Sequence, residues 1–292
     1  MTIDILTTAK DNYKHATNIY PFIVQIGTGG TGGYLVQHLA QLLGTSKQAA
    51  SYVIVDPDVI EEKNLKNQLF LNSEVGLKKA DVLASRYSEA YGLSIGSYSE
   101  SYMESLEQLK GLFNTDYLRI SHVGPKVLFL PIVIGCVDNN FTRKLLHELF
   151  DYLKVCIYVD AGNESTDVPK DWMVRSKDSW TPEELLQFAQ SGWSGQVVTG
   201  AKLPNFYQKP VAEMFPDILE DNDSIAPSEL SCTQLTASEP QRLLVNKYAA
   251  LIVTGLVTEI IEEHSISNHV TFFHAKKLYM RSVPVQIENP TS

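Results

Sequence analysis

The sequence predicts an α/β protein built on a Rossmann-like, doubly wound and mostly parallel sheet. Three observations predict this fold: short apolar runs typical of buried strands, a glycine-rich turn directly after the first run, and helical leucine spacing that leads to a second run. The 292 residues are 44% hydrophobic and 20% charged. These values are ordinary for a globular chain of one or two domains.

Strands and helices alternate along the first half of the chain. Residues 22–26 predict a strand, the turn Gly27–Gly33 follows, and leucine spacing predicts a helix that ends near Gly44. The further expected elements are a strand at 52–55, a helix at 78–91, a strand at 93–98, a short helix at 105–112, a strand at 131–135, a helix that Asn139 or Asn140 caps, and a strand at 155–159.

The second half of the chain departs from this alternation. Residues 164–237 are rich in Ser, Thr and Pro and predict only a helix at 182–190 and a strand at 195–199. The four prolines of residues 202–229 predict a long mobile crossover loop. A helix is expected from 239 to about 263, followed by strands at 270–274 and 278–283 that form a small C-terminal β region. We therefore expect an N-terminal arm, residues 1–20, and a single domain over 21–292 that includes the crossover segment 164–237.

Composition and charge exclude several classes of protein. The net charge of −10 argues against nucleic-acid binding, which requires a basic surface. Charged residues within the first 20 positions argue against a signal peptide, and the apolar runs 127–137 and 249–257 are too short or too interrupted to span a membrane. Three cysteines cannot form a four-cysteine zinc site, so no structural zinc is expected. The expected location is cytoplasmic.

The glycine turn is the first candidate binding site. Its glycines allow a tight turn and close approach to a nucleotide; they are Gly27, Gly29, Gly30, Gly32 and Gly33. Asp56 lies 23 residues past Gly33 at the end of the next strand, where an acid can accept hydrogen bonds from ribose hydroxyls. At this point the ligand could be NAD, FAD or ATP, or the turn could be structural.

The residues after Asp56 favour ATP. Asn64, Lys66 and Gln68 follow it closely, and Lys79 comes eleven residues after Gln68. Amides and lysines are donors that suit phosphate oxygens. Asp138 follows the strand at 131–135, where its carboxylate could hold Mg²⁺. Together these residues predict an ATP site with magnesium.

These motifs resemble those of the ubiquitin-activating E1, ThiF and MoeB adenylyltransferase superfamily. The resemblance covers about residues 22–163 and is carried by IGTGGTGG at 26–33, DPD at 56–58, KNL at 63–65 with Gln68, VGLKK at 75–79, CVDN at 136–139 with Arg143, and DAG at 160–162. The resemblance to ThiF-like proteins of bacterial mobile elements extends along the chain through SCT at 231–233 and the predicted helix after it.

The resemblance implies an ATP- and Mg²⁺-dependent reaction in which a carboxylate attacks the α-phosphate and gives an acyl-adenylate and pyrophosphate. It implies that Asp56 binds ribose, that Asn64 and Gln68 contact phosphates, and that Lys79 and Asp138 act in catalysis. Lys79 would neutralise phosphate charge and Asp138 would ligate magnesium, while Asp58 and Lys66 belong to the same ATP-binding motif. The family usually has Arg immediately before Gln68, where this chain has Asn67, and Lys66 is the nearest replacement charge.

The resemblance also implies partners. The expected substrate is a small ubiquitin-like or sulfur-carrier protein that ends in Gly, with an E2-like protein as a further partner and a homodimer as the assembly. Cys232 precedes a predicted helix and is the candidate residue for forming a thioester with the substrate. The alternative, a structural role for this cysteine, stays open. Three alternatives stay open: adenylation of a peptide or in tRNA-linked chemistry, a nucleotide-binding pseudoenzyme, and an NAD-dependent oxidoreductase.

Overall fold

The computed structural model describes residues 1–10, 13–113, 126–221, 227–229 and 241–286. Its strands are β1 Ile3–Asp4, β2 Asn18–Ile26, β3 Ser51–Val55, β4 Ile95–Tyr98, β5 Val127–Gly135, β6 Cys156–Asn163, β7 Ser194–Leu203, β8 Phe206–Gln208, β9 Ser265–Ile266, β10 Asn268–His274 and β11 Tyr279–Pro284. Its helices are α1 Ile5–Ala9, α2 Gly30–Thr45, α3 Lys79–Tyr91, α4 Leu106–Leu112, α5 Asn140–Tyr152, α6 Pro182–Gln190, α7 Val211–Met214, α8 Asp217–Glu220 and α9 Leu243–Thr258.

A nine-stranded sheet forms the centre of the molecule. Its strand order is β11-β10-β7-β6-β5-β2-β3-β4, with β8 paired to β7. The five strands from β6 to β4 run parallel. Apolar residues of α2, α3 and α9 cover one face of the sheet, and those of α4 and α5 cover the other. The predicted doubly wound α/β fold is confirmed, and the carboxyl ends of the parallel strands share one edge.

The antiparallel end of the sheet contains the predicted C-terminal β region and corrects one expectation. Strands β7, β10 and β11 pair antiparallel and continue the main sheet through β6, so the C-terminal β region is part of that sheet. Residues 202–229 are not one long loop, because β7 extends to Leu203 and β8, α7 and α8 follow. The side chains of Val211 and Ala212 are buried, so tertiary packing stabilises elements too short to show a sequence period. Cys232 lies outside the described residues.

The long C-terminal helix is a core element. Within the described residues α9 begins at Leu243, later than the predicted start at 239, and a π-helical segment, Glu259–Glu263, continues it. By length and composition alone, the segment Leu243–Glu263 could cross a membrane. However, 56% of its 18-residue apolar window is buried inside the protein, as in a core helix. The helix packs against α2, β6 and β7.

The N-terminal segment packs on the same body. Strand β1 pairs with β9, and Ile5 and Ala9 of α1 are buried. Strand β2 begins at Asn18, inside the segment assigned to an arm and four residues before the predicted start. Within the first 20 residues, β1, α1 and the start of β2 therefore pack on the main body, whereas residues 13–15 are exposed. The domain boundary itself stays a prediction.

Candidate functional site

The loop between β2 and α2 is a glycine turn pressed against the end of β5. Gly27 adopts φ +93°, and a Cβ there would collide with the carbonyl oxygen of Cys136. A Cβ on Gly32 would collide with the Gly27 carbonyl oxygen. At Gly29, the one atom of the described residues that would lie within 4 Å of a Cβ is Gln68 Nε2, at 3.8 Å. The turn is therefore closed toward the sheet and more open at Gly29.

Gln25 holds this turn in place from inside the sheet, a role that the sequence analysis did not predict. Its side chain is fully buried, and its Nε2 donates to the carbonyl oxygens of Gly27 at 2.9 Å and Gly32 at 3.0 Å. Its Oε1 accepts from the Tyr52 hydroxyl at 2.6 Å. Because each polar atom of the amide is satisfied, the side chain holds both ends of the glycine turn at low energetic cost.

Asp56 ties the end of β3 to the same turn. Its Oδ2 accepts from the backbone N–H of Thr28 at 2.8 Å and from the Thr28 hydroxyl at 2.9 Å, and its Oδ1 accepts from the Asp58 N–H at 2.9 Å. A carboxylate offers about four acceptor directions, so one direction remains beyond these three bonds.

Asp58 forms an ion pair with Lys79 at the start of α3. The Lys79 Nζ lies 2.8 Å from Asp58 Oδ2, and the Tyr102 hydroxyl donates to Asp58 Oδ1 at 2.5 Å. Lys79 is buried, whereas the Asp58 side chain is 41% exposed. Tyr102 lies in a stretch whose sequence pattern was weak, so sequence reasoning missed it.

Burial and charge shift the pKa values of these groups in different directions. Burial raises the pKa of Asp56 above its usual value despite the nearby Lys79. Burial also opposes ionisation of Asp58 and Lys79, but their mutual attraction outweighs it, so the pKa of Asp58 is lowered and that of Lys79 is raised. Burial and the Asp58 hydrogen bond raise the pKa of Tyr102, to which the charges of Asp56 and Asp138 also contribute. Three carboxylates therefore lie within electrostatic range of one phenol.

The segment after Asp58 places the predicted amides differently. Asn64 is buried, and its Oδ1 accepts from the Glu61 N–H at 2.9 Å, which caps a 3-10 turn, Glu62–Lys66. Lys66 is exposed. Gln68 points toward the glycine turn, and its Oε1 is buried without a hydrogen-bond partner among the described residues. The Oε1 atom of Gln68 therefore has no partner among the described residues, whereas the Oδ1 atom of Asn64 is already engaged in capping the 3-10 turn.

Asp138 follows β5 and is exposed. No hydrogen bond or ion pair joins its side chain to any residue that the structure describes. Beside it, Arg143 of α5 donates to the Val137 carbonyl oxygen at 2.8 Å and pairs with the buried Asp160 at 3.2 Å. The Tyr158 hydroxyl donates to the other oxygen of Asp160 at 2.8 Å. This buried pair holds the β5–α5 loop against β6, which continues through Asp160 to Asn163 instead of ending at the predicted residue 159.

A cavity of 620 Å³ opens beside that ion pair. Its lining includes the backbone of Gly162 and Gly195 and polar side chains, among them Arg143, Asp160, Glu164, Gln196 and His274. Its apolar side chains come from the α7–α8 segment and from β10, and they are Val211, Phe215, Ile218, Phe272 and Phe273. The cavity is a cleft large enough for several residues of an extended chain.

The structure thus brings most predicted site residues to one edge of the sheet. The glycine turn, Asp56, Asp58 and Asp138 follow parallel strands there, and Lys79 reaches them from α3. The opening at Gly29 and the exposed Asp138 carboxylate, which has no partner among the described residues, are features that fit a nucleotide with a divalent cation. Lys66 points to no described partner, and Cys232 lies outside the described residues.

Comparisons with known proteins identify the family of the chain and the fold that it shares with solved structures. The ThiF family model matches residues 4–292. No curated protein sequence matches the chain significantly. The crystal structure of PaaA aligns with a TM-score of 0.54 at 14% identity, over 95% of this chain and 66% of that one. E. coli MccB with AMPCPP and MccA gives 0.55 at 14%, over 98% and 68%, and E. coli MccB with ATP gives 0.53 at 16%, over 95% and 66%. The chain spans about two thirds of the length of these proteins, with which it shares the fold.

Proposed function

Because the chain belongs to the ThiF family of E1-like adenylyltransferases, we propose that it adenylates the C-terminal carboxylate of a peptide or small carrier protein with ATP. The observation that carries this proposal is the convergence of Asp56, Asp58, Lys79 and the glycine turn at one sheet edge, next to a cleft. A nucleotide on the turn and a peptide in the cleft would meet beside Asp138.

The nucleotide would lie on the glycine turn. Asp56 would accept hydrogen bonds from ribose hydroxyls, for which the rotatable Thr28 hydroxyl can give way. Lys79 stays protonated at neutral pH because its pKa is raised, so it supplies positive charge near the phosphates. Gln68 would donate through Nε2 near Gly29. In E. coli MccB, ATP is the bound nucleotide, which supports the same ligand here.

Asp138 would hold Mg²⁺, which prefers carboxylate and phosphate oxygens. The ion, when bound, supplies charge stabilisation as the α-phosphate is attacked and pyrophosphate leaves. Arg143 keeps the loop that carries Asp138 in place through the Val137 carbonyl and Asp160. Arg143 is therefore a positioning residue.

The cleft would take the C-terminal segment of the substrate. MccB has been crystallised with MccA, which supports a peptide or a small carrier protein as the class of substrate. The finer proposal is a ubiquitin-like or sulfur-carrier protein that ends in Gly, which rests on the resemblance of the sequence motifs to the E1 superfamily. Transfer to Cys232, an E2-like partner and a homodimer belong to this finer proposal.

A nucleotide-binding pseudoenzyme is the second candidate, and Asn67 favours it. An arginine at that position would offer a planar fork for phosphate, and Asn cannot replace it. The neighbouring Lys66 is exposed and would have to supply the charge. The NAD-dependent oxidoreductase is a weaker alternative, since family membership favours ATP.

Intact-mass spectrometry tests adenylation directly. The chain is incubated with ATP, Mg²⁺ and candidate peptides or Gly-ending small proteins, and hydroxylamine traps the activated carboxylate. We expect an ATP-dependent hydroxamate on one of these substrates. ATP binding without hydroxamate on any of them favours the pseudoenzyme, and NAD binding without ATP binding would contradict the proposal.

A further inference from the structure

A histidine and two carboxylates meet at the far end of α5. His147 and Asp151 occupy its last two turns, and Glu213 comes from α7. His147 lies eight residues after the cap Asn139, or about 12 Å along the helix at 1.5 Å per residue, so this group is separate from the nucleotide site. Neither the family assignment nor the neighbouring structures give these residues a role.

The ligand atoms of the three side chains are close enough together to bind one metal ion. His147 and Asp151 are four residues apart and therefore share one helix face. His147 Nε2 lies 3.6 Å from Asp151 Oδ2, and the ligand atoms of all three residues lie within 4.8 Å of one another. Two ligands bound tetrahedrally at about 2.0–2.2 Å from Zn²⁺ are about 3.3–3.6 Å apart. The observed separation therefore leaves room for one ion.

The imidazole of His147 has no hydrogen bond to any residue that the structure describes. Its side chain is 13% exposed, its Nδ1 is buried without a partner among the described residues, and the 3.6 Å contact of Nε2 exceeds hydrogen-bond length. The Nε2 atom, which faces Asp151, is therefore available to bind a cation, with the ring proton on Nδ1.

The hydroxyl of Tyr207 donates to Glu213 Oε1 from the other side. Hydrogen bonds of this kind orient carboxylates that bind metals. Glu213 is therefore held with its second oxygen available.

We propose that His147, Asp151 and Glu213 bind one divalent transition-metal ion of the Zn²⁺ class, with an open position for water. An imidazole with two carboxylates suits zinc better than magnesium, which prefers oxygen ligands alone. The ion would join α7 to α5. Because α7 also carries Val211, and Phe215 follows it, the ion would steady one wall of the 620 Å³ cavity.

Calorimetric titration with zinc chloride tests this site without ATP or any peptide substrate, so the result does not depend on the proposed function. The full chain is produced without a histidine tag and stripped with EDTA. We expect one zinc ion per chain, binding at least about tenfold weaker in His147→Ala and in Glu213→Gln, and unchanged binding in His15→Ala, which removes an exposed histidine.

Thermal unfolding of the same variants provides the second readout. Zinc is expected to raise the Tm of the wild-type chain and of His15→Ala, and to leave the Tm of Glu213→Gln nearly unchanged. Equal concentrations of magnesium chloride are expected to give no shift. Absence of zinc binding, or zinc affinity unaltered by both His147→Ala and Glu213→Gln, would overturn the proposal.

Discussion

Lys79 Nζ lies 2.8 Å from Asp58 Oδ2, and this ion pair joins the start of α3 to the loop after β3. The ammonium is buried and faces the carboxylates of both Asp58 and Asp56. One positive charge therefore faces two carboxylates at the base of the site. A nucleotide phosphate would meet a lysine that its neighbours hold in the protonated state.

Lys79→Met is expected to lower the free energy of unfolding at pH 7. The loss should be about 1–3 kcal/mol, between the values for buried and exposed ion pairs, because Asp58 is partly exposed. Since the pKa of Asp58 is lowered, its stabilising contribution is present at neutral pH and disappears as the pH falls through that lowered pKa. Urea unfolding from pH 7 to pH 3 should show the difference between the two proteins shrinking below about pH 4.

Lys78→Met is the matched control for that experiment. Lys78 carries the same charge one residue earlier, but among the described residues its ammonium donates only to the Pro57 carbonyl oxygen. Its replacement should cost less than about 1 kcal/mol at any pH in that range. An equal loss for both variants, or a Lys79→Met difference that does not change with pH, would contradict the role given to the ion pair.

Gln25→Leu is expected to destabilise the glycine turn. The substitution leaves two carbonyl oxygens and the Tyr52 hydroxyl without their partner, at a cost of about 2–4 kcal/mol. Tyr52→Phe breaks only one of these bonds and should cost about 1 kcal/mol. Urea unfolding measures both losses, and calorimetry should show weaker ATP binding for Gln25→Leu alone. ATP affinity that is equal in the two variants would argue against the turn as the phosphate site.

Asn67→Arg is expected to raise the rate of adenylation. The guanidinium would add a bidentate phosphate donor beside Gln68, and we expect about a tenfold gain in kcat/KM for ATP. Asn67→Gln controls for side-chain length without charge and should give no gain. If neither change alters the rate, position 67 does not contact phosphate in this chain.

Cys232→Ala separates adenylation from thioester formation. Adenylation precedes any transfer to sulfur, so hydroxamate trapping should persist in this variant. Nonreducing electrophoresis of the wild-type chain with its substrate should show a band that reductant removes and that is missing from Cys232→Ala. A reductant-sensitive adduct that survives the substitution would exclude Cys232 as the acceptor.

The first half of the fold is predictable because its signals are local. The apolar run before Gly27 and the leucine spacing after it define β2 and α2 without long-range information. The short elements β8, α7 and α8 could not be predicted, since they depend on burial of residues such as Val211 against other parts of the chain. The antiparallel pairing of β6 with β7 likewise depends on tertiary contacts.

The candidate site shows the same division. Asp56 and Asp138 lie in recognisable motifs after strands, and Lys79 lies in one at the start of α3. The structure places all three at one edge of the sheet. Gln25 was missed because a glutamine within an apolar run has no local meaning until its partners Gly27, Gly32 and Tyr52 surround it. Glu213 is 66 residues from His147, and only tertiary packing brings them together.

ATP–pyrophosphate exchange with wild type, Asp138→Ala and Glu89→Ala tests the central claim most directly. Asp138 and Glu89 are both exposed acids, so neither substitution should unfold the chain. The account predicts exchange that depends on Mg²⁺ and on an added peptide or Gly-ending protein, persists in Glu89→Ala, and falls at least about 100-fold in Asp138→Ala. Exchange that Asp138→Ala leaves intact would contradict the assigned site. NAD binding without ATP binding would contradict the adenylyltransferase itself.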